Sequence, residues 1–313
     1  MPEGANMNMG QVRVVDPILS QHARGYTNSE YVGHFLFPTV NMPTRGAKRI
    51  EFGREAFRRY KTRRAPGGRI AQISVGYEAD PVKLHQEALQ ALTPVEYQEE
   101  AKQVPGIDLQ QESVDTVLAV IALEKEIQQA DVARNAASYA ATNKTALAGG
   151  DKWSDPDSKP KELIGDYGEV IRSRTGRRPN TLLFGGSVAT KLKSHKSVLE
   201  QFKYTRSDSV TMQDLATFFD IPNVIAGDAI YDVDGANSVD VWGTDAILAY
   251  VPPASIRNMR VPSYGYTYQL RGHPFVEKVE WDKDHRSWSN NVLDEFSAEL
   301  VGADAGVLIQ AAI

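Results

Sequence analysis

The chain has 313 residues, of which 42% are hydrophobic and 24% charged, and its formal net charge is −5. This length and composition are typical of a globular protein with about two domains and a sizeable core. The net negative charge argues against a chain that binds polyanions as a whole. The absence of cysteine excludes disulfides, thiolate metal sites and a cysteine nucleophile.

The hydrophobic pattern gives no sign of a membrane segment. The first ten residues lack the basic and apolar regions of a signal peptide. Apolar runs such as 117–123 are far shorter than the roughly 20 residues that cross a bilayer. We therefore expect no membrane partner.

Residues 1–44 predict an irregular N-terminal arm. Gly, Pro and Asn recur there, and only 12–19 and 29–37 are candidates for short regular elements. Such a long stretch of weak structure is uncommon inside a compact domain. We expect the arm to become ordered against another surface.

A strongly basic segment follows, over residues 45–69. Ten basic residues face only two acidic ones, so these 25 residues carry +8 and the other 288 carry −13. The basic residues are Arg45, Lys48, Arg49, Arg54, Arg58, Arg59, Lys61, Arg63, Arg64 and Arg69. Alternating residues flank the turn sequence Ala65-Pro66-Gly67-Gly68, which predicts a β-hairpin over 45–80. Two strands alone are marginal in water, so this hairpin needs a partner.

Residues 107–148 contain neither Gly nor Pro and predict one long helix. Asp108 is a plausible N-cap, and Gln111 stands at capping-box spacing from it. Apolar residues recur at helical spacing along one broad face. We predict a helix over about 109–140, which would be roughly 48 Å long.

The region around this helix supplies charge opposite to that of the hairpin. Nine acidic residues between Pro94 and Arg134 face three basic ones, leaving −6; the acidic residues are Glu96, Glu99, Glu100, Asp108, Glu112, Asp115, Glu124, Glu126 and Asp131. Opposite charges in one chain suit head-to-tail contacts between identical copies, which close into rings or lattices. We therefore predict inter-subunit contacts at Arg54, Arg58, Arg59, Lys61, Arg63, Arg64, Glu96, Glu99, Glu100 and Glu112.

The remaining chain predicts a compact α/β unit over 161–250 and then a set of strands. Predicted helices of the unit cover 163–175, 187–195 and 212–219, and its strands cover 181–184, 223–226 and part of 239–250. Asp234-Gly235 predicts a hairpin turn between 229–231 and 239–242. The closing strands are predicted at 264–268, 276–281, 297–301 and 306–309.

Few motifs suggest chemistry. Gly185-Gly186-Ser187-Val188-Ala189 resembles a nucleophile elbow, with His195, His273 or His285 as conceivable bases, but an N-capping role for Ser187 is the favoured interpretation. Asp232–Asn237 fits a calcium loop poorly and a hairpin turn well. Nucleotide-binding and metal-ligand spacings are absent from the sequence. We predict no catalytic residue, no cofactor and no metal.

Several short sequences resemble one known family, the major capsid proteins of tailed bacteriophages with the Hong Kong 97-type fold. These sequences are Gly149-Gly150-Asp151-Lys152-Trp153-Ser154-Asp155, Arg178-Pro179-Asn180-Thr181-Leu182, Trp242-Gly243, Leu248-Ala249-Tyr250-Val251-Pro252, Pro262-Ser263-Tyr264-Gly265-Tyr266-Thr267 and Gly306-Val307-Leu308-Ile309. The order of arm, hairpin, long helix and inserted unit is also similar. The resemblance is strong from about 105 to 313 and is one of layout before that.

The resemblance implies an α+β fold of four parts. These are an N-terminal arm (1–44), an E-loop hairpin (45–80), a peripheral domain (81–160 and 251–313, with the spine helix at about 109–140) and an inserted α/β axial domain (161–250). It implies pentamers and hexamers that build an icosahedral head, with a portal, a separate scaffold protein and weak, non-specific contact with packaged double-stranded DNA. The chain would reside in the virion and assemble in the host cytoplasm, with no enzymatic role.

Three alternatives stay open at this point. An encapsulin-type bacterial compartment shell shares the fold. A serine hydrolase would depend on Ser187 alone. A nucleic-acid-binding module would depend on the hairpin, in which the aromatics available for base stacking are few: Phe52, Phe57 and Tyr60. Some relatives form a Lys–Asn cross-link, and Lys61 lies in the corresponding loop, but no partner Asn or catalytic Glu can be identified.

Overall fold

The structure is a computed structural model that describes residues 15–26, 28–50, 79–101, 108–203, 209–233, 235, 237–254 and 263–313. The described residues form seven α-helices: α1 (Pro17–Gly25), α2 (Val95–Ala101), α3 (Leu109–Arg134), α4 (Pro160–Thr175), α5 (Gly186–Lys193), α6 (Lys196–Phe202) and α7 (Met212–Phe219). None of these helices is both long and apolar enough to cross a membrane.

The strands of the described residues are β1 (Thr39–Met42), β2 (Gly46–Ile50), β3 (Ala79–Lys83), β4 (His85–Pro94), β5 (Lys144–Ala146), β6 (Thr181–Gly185), β7 (Asn223–Gly227), β8 (Ile230–Asp232), β9 (Ser238–Asp240), β10 (Ala246–Ala249), β11 (Gly265–Leu270), β12 (Phe275–Val276), β13 (Glu280–Asp282), β14 (Ser287–Leu300) and β15 (Gly306–Gln310). They form a six-stranded sheet, a five-stranded sheet and two separate pairs, β2–β3 and β8–β9.

The five-stranded sheet has the order β5-β15-β10-β6-β7 and is covered on both faces. Its strands are short apolar runs, and successive residues enter different clusters: Leu182 and Phe184 pack on one face, Leu183 on the other. Helices α4 to α7 contribute to the first cluster, and α3 contributes to the second. Double coverage explains why these strands are nearly continuous runs of apolar residues.

The six-stranded sheet is organised around β14. This 14-residue strand pairs with all ten residues of β4 along one edge, and with β13, β12 and β11 in turn along the other. Strand β1 adds to β11 in parallel. One face of the sheet packs on α3, where Val292 and Phe296 meet Val117 and Ile121.

Helix α3 is shared by both sheets. Its first half packs in the cluster of the six-stranded sheet, and Ala130 and Ala133 near its end pack under the five-stranded sheet. The predicted N-cap is confirmed, because the Asp108 carboxylate accepts hydrogen bonds from the amides of Gln110 and Gln111.

The predicted helix end at about 140 is wrong, since α3 ends at Arg134. Asn135 has extended backbone, and its side chain accepts a hydrogen bond from the amide of Ala137 in the short 3₁₀ helix Ala136–Ser138. Asparagine competes with helical hydrogen bonds in this way, so the small residues after Asn135 do not continue α3.

The predicted arm 1–44 is too long. Asp16 caps α1, and the chain from Val32 to Met42 packs within its own subunit, where Leu36 and Phe37 are fully buried. These two residues belong to the cluster beneath the five-stranded sheet. Residues 1–14 lie outside the described part of the chain, so only there does an arm remain a prediction.

The predicted domain boundaries also need one correction. Strands β5 and β15, which the sequence boundaries assign to the peripheral domain, pair with each other and through β10 with the inserted unit. Hydrogen bonding therefore makes both of them part of the five-stranded sheet. The rest of the division stays a prediction.

Most predicted elements of the inserted unit are confirmed. Helix α7 has its predicted bounds with a Thr211–Asp214 capping box, and α4 ends at Gly176, which has a φ of 67°. Two predictions need correction. The predicted helix 187–195 is α5, which ends two residues earlier because His195 caps α6, a helix that was not predicted, and the strand 276–281 is two short strands, β12 and β13.

Candidate inter-subunit surface

The six basic residues predicted to contact a neighbouring subunit lie outside the described residues. They are Arg54, Arg58, Arg59, Lys61, Arg63 and Arg64. What the structure describes is the root of this segment, where β2 and β3 pair antiparallel from Gly46 opposite Lys83 to Ile50 opposite Ala79. The 28 residues between Ile50 and Ala79 therefore leave and return at one place on the subunit.

An ion pair attaches this root to the six-stranded sheet. The Arg45 guanidinium donates from Nε and Nη2 to the two carboxylate oxygens of Glu295, and both distances are 2.7 Å. The Glu295 side chain is buried and that of Arg45 is exposed. Bidentate geometry of this kind is the strong form of such a pair. Arg45 is one of the ten basic residues of segment 45–69, so one positive charge of that segment is already neutralised within the subunit.

A buried histidine lies beside the same carboxylate. His273 Nε2 is 3.7 Å from Glu295 Oε1, and neither ring nitrogen has a hydrogen-bond partner among the described residues. The hydrogen bonds from Arg45 hold the pKa of Glu295 below its ordinary value, although burial acts the other way. The sheet thus carries an ionised carboxylate at the hairpin root.

The acidic half of the predicted contact is described and exposed. Glu96, Glu99 and Glu100 lie on α2, and Glu112 lies in the first turn of α3. All four side chains are accessible to solvent. We call these four residues the acidic surface. Glu96 faces Arg286 at long range, with Arg286 Nη2 4.0 Å from its Oε1.

The structure brings three of the four glutamates together and separates them from the hairpin root. Helix α2 follows β4 directly, so Glu96, Glu99 and Glu100 share one short helix at the Pro94 end of that strand. The root joins β4 at the opposite end, through Leu84. Ten extended residues span about 33 Å, so the root and α2 are that far apart in one subunit.

Three other acidic residues of the region have partners within the subunit or are buried. Asp108 caps α3, and the Asp115 carboxylate lies 2.6 Å from His22 Nε2 of α1. Glu126 is 2% exposed. The net −6 derived for 94–134 therefore overstates the charge that a partner would meet.

Glu126 joins three parts of the subunit. Its carboxylate accepts hydrogen bonds from the amides of Val32 and Gly33 and, at 2.7 Å, from the Trp242 indole. Burial raises the pKa of Glu126, and these hydrogen bonds oppose that rise. A Cβ at Gly33 would lie 2.0 Å from Gln129 Oε1 and 2.8 Å from Glu126 Oε2, so a larger residue here would displace both side chains.

The elbow-like motif does not form a catalytic pair among the described residues. The N-cap of α5 is Gly185, so the expected capping role of Ser187 is wrong, and the buried Ser187 hydroxyl has no hydrogen-bond partner. His195 instead contacts Ser158, Ser197 and the Asp155 carbonyl. His285 lies 2.7 Å from Asp282. None of the three candidate bases is placed to activate Ser187.

The calcium-loop candidate is a turn between two paired strands. Strands β8 and β9 pair antiparallel, and the Gly235 amide donates to the Asp232 carboxylate at 2.7 Å. In the described part of the chain, no three acidic or histidine side chains converge as a metal site would require.

The roles of Glu126 and Glu295 could not be predicted from the sequence, for different reasons. Glu126 was visible only as one more charge on the long helix, although Ala130 and Ala133 follow it at the helical spacings of four and seven residues. Glu295 lies in a polar strand where alternation does not separate buried from exposed residues. Neither carried a local signal of burial.

The fold defines a class of protein, the Hong Kong 97-type capsid fold. A capsid structure of Cyanophage P-SCSP1u superposes with a TM-score of 0.55 over 91% of this chain and 90% of that one, at 8% identity. At that identity the likeness shows the fold alone. The expected α+β fold with a spine helix and an inserted α/β unit is confirmed.

The chain belongs to the phage major capsid protein E family, whose model matches residues 60–293. The major capsid protein of Burkholderia phage BcepMu is 37% identical over 96% of this chain and 97% of its own length. A phage-related protein of Bordetella bronchiseptica is 40% identical, with a TM-score of 0.83 over 96% of this chain and 99% of that one. The chain is therefore a structural subunit of a tailed-phage head, and the encapsulin alternative is disfavoured.

Proposed function

We propose that the basic hairpin of one subunit docks on the acidic surface of the next, and that this contact builds pentamers and hexamers of the icosahedral head. The carrying observation is the separation of the hairpin root from α2 within a subunit. The hairpin root and α2 lie at opposite ends of β4, and α2 faces solvent. Charge complementarity of this kind sets register and association rate.

The Arg45–Glu295 ion pair supports a defined exit direction for the hairpin. A segment held at its root by a bidentate, half-buried pair leaves the sheet in one direction, which lowers the entropy lost on docking. The remaining cations of the segment, from Lys48 to Arg69, are then directed to a neighbour. The finer division into arm, E-loop, peripheral domain and axial domain is part of this proposal, with β5 and β15 moved to the axial domain.

Further partners follow from the same role. We include a portal, a separate scaffold protein and packaged double-stranded DNA, and assembly in the host cytoplasm before the head is complete. Contact with DNA is weak and non-specific in this proposal, because the whole chain carries −5. No catalytic step is assigned, since Ser187 lies against no histidine in the described structure.

The test is charge reversal on each side of the contact. Arg58→Glu, Arg59→Glu and Arg63→Glu together should abolish shells while the subunits remain folded and soluble. Replacement of the same three residues by Lys is the matched control and should preserve assembly. Reversal of Glu96, Glu99 and Glu100 to Lys should also block assembly. Sucrose gradients and negative-stain images measure the shell fraction, and normal shells from either reversed variant would refute electrostatic docking.

A further inference from the structure

The β8–β9 pair is a second surface that its own subunit leaves uncovered. It pairs with no other strand of the described chain, and an isolated two-stranded ribbon is marginal in water. Three of its apolar side chains face solvent: Ile230 is 54% exposed, Val233 59% and Val239 41%. We call residues 228–240 the ribbon. Val239 is opposite Tyr231 in the register and so lies on the other side of the ribbon from Ile230, which makes Ile230 the apolar strand residue of its own side.

The ribbon is also acidic. Residues 228–240 contain four aspartates and no Lys or Arg, which amounts to −4 within 13 residues. Ile230 and Asp240 are opposite each other in the register and therefore point to the same side. Tyr231 packs toward the cluster under the five-stranded sheet, so Ile230 and Asp240 lie on the side that faces away from it.

A surface of opposite charge lies on helices α5 and α6 of the same unit. Residues 190–203 contain four lysines and one glutamate, which amounts to +3 within 14 residues. Lys191 and Lys193 take part in no ion pair in the part of the chain that the structure describes. Lys196 pairs with Asp157 at the surface, and Leu199 beside it is 48% exposed. We call this surface the basic helix face.

The two surfaces lie on opposite faces of the five-stranded sheet. Val188, Leu192 and Val198 of α5 and α6 pack in the cluster on one face, whereas Ala229 and Val241 at the ends of the ribbon pack in the cluster on the other. The sheet between them prevents contact within one subunit. A second copy, rotated about an axis, can bring its basic helix face to the ribbon.

We propose that the ribbon of one copy binds the basic helix face of the next copy, as a head-to-tail contact within a ring. The contact pairs Asp240 and Asp232 with Lys191 and Lys193, and covers Ile230 with Leu199. Each copy offers one surface of each kind, which is the requirement for a heterologous interface that closes. This contact rests on the proposed ring-forming function and is separate from docking of the basic hairpin.

The test reverses each surface separately and then both together. Asp232→Lys with Asp240→Lys reverses the two contact charges of the ribbon, and Lys191→Glu with Lys193→Glu reverses the two contact charges of the basic helix face. Each double variant alone should lose shells in sucrose gradients. The quadruple variant, in which both charges are exchanged, should recover at least tenfold more shells than either double variant. Asp166→Lys, an exposed charge change on α4, is the control and should assemble normally.

A mixture of the two double variants gives a sharper result. In each double variant both surfaces carry contact charges of the same sign, so two copies of one variant repel each other. Each contact then joins one variant to the other, and variants alternate around a ring. Rings with an even number of subunits form, and five-membered rings do not. Negative-stain images should show flat or tubular lattices without five-fold vertices. Circular dichroism checks that each variant folds. Normal shells from both double variants, or a folded quadruple variant that recovers nothing, would overturn this contact. A wild-type chain that forms no rings would instead refute the proposed function itself.

Discussion

The two large sheets of this subunit bury their residues in different ways. The five-stranded sheet has apolar clusters on both faces, and strands β6 and β10 are buried along their whole length. The six-stranded sheet has one face on α3, and its strand β4 is mostly exposed. Leu89 and Leu92 of β4 are 44% and 41% exposed.

The two sheets also differ in how many polar residues they bury, and the six-stranded sheet buries more. Buried polar and charged residues are concentrated on β14, where Asn290, Asp294 and Glu295 are at most 4% exposed. Each finds a partner on another element: Asn290 on α3, Asp294 on β11 and Glu295 at the hairpin root. The five-stranded sheet thus has its own core, whereas the six-stranded sheet depends on specific polar contacts and leaves a long strand to be covered.

The strongest test of this contrast concerns α3, which serves both sheets. Ile121 is 6% exposed among Val292 and Phe296, and Val120 next to it is 48% exposed. Ile121→Asp places an unpaired carboxylate in this cluster, at a cost of several kcal/mol against a typical stability of about 5–15 kcal/mol. We expect loss of soluble folded protein, measured by recovery and circular dichroism.

Val120→Asp is the matched control and should fold with nearly the wild-type urea midpoint. Equal urea midpoints for the two variants would mean that α3 does not bury the face that carries Ile121. The assignment of α3 as the spine helix would then be wrong.

A direct comparison of the sheets uses one leucine from each. Leu308 of β15 is fully buried in the cluster beneath the five-stranded sheet, and Leu92 lies half-exposed on β4. Leu308→Ala should lower the free energy of unfolding by about 2–5 kcal/mol. Leu92→Ala should lower it by less than about 1 kcal/mol in the isolated subunit. Urea denaturation at constant pH measures both values.

The same pair tests whether β4 is covered in the shell. If a neighbour covers it, Leu92→Ala should reduce shell stability toward urea more than it reduces subunit stability. A similar loss in subunit and shell would mean that β4 stays exposed after assembly.

The contrast between sheets also explains which elements the sequence could predict. Strands β6, β7, β10 and β15 are apolar runs bounded by turn residues, and all four fall inside or overlap predicted strands. Strand β4 has the sequence His85-Gln-Glu-Ala-Leu-Gln-Ala-Leu-Thr-Pro94, which was assigned to no element. Its strand state comes from ten register pairs with β14, a long-range cause that composition does not report.

Only the last part of β14 was predicted, as 297–301. Its first ten residues include Ser, Asn, Asp and Glu, which are depleted in strands, and they are held by β4 and by polar contacts. For the candidate surface, the glutamates of α2 are exposed, and their contact with a neighbour stays a prediction. The sequence could not distinguish these exposed glutamates from the buried Glu126. Burial of that carboxylate depends on hydrogen bonds from backbone amides and an indole that belong to distant segments.

The two buried glutamates provide the smallest and most specific test of the contrast. Among the described residues no cation lies against Glu126, which is beside the five-stranded sheet, and burial raises its pKa. Glu295, in the six-stranded sheet, is held by Arg45, and these hydrogen bonds lower its pKa. The pKa of glutamate in an unfolded chain is about 4.3. The two residues should therefore contribute to stability with opposite dependence on pH.

The signs follow from which state binds the proton more tightly. Glu295 stabilises the fold above the unfolded pKa, and this contribution is lost as pH falls through its lower folded pKa. Glu126 binds its proton more tightly in the fold, so its contribution is fully present below the unfolded pKa and is lost as pH rises through its folded pKa. Glu295→Gln should thus lose less stability than wild type on acidification below pH ~4.3. Glu126→Gln should remove the decrease in stability that wild type shows as pH rises above that value.

Urea midpoints measured from acid to neutral pH compare both variants with Glu124→Gln, an exposed change on α3 that should leave the profile unaltered. Arg45→Met should raise the pKa of Glu295 and move its acid transition to higher pH, because the partner of the lowered carboxylate is removed. If Glu126→Gln and Glu295→Gln changed the pH profile in the same direction, the two carboxylates would share one kind of environment. The distinction between an apolar core under one sheet and an ion-paired anchor in the other would then fail at these residues.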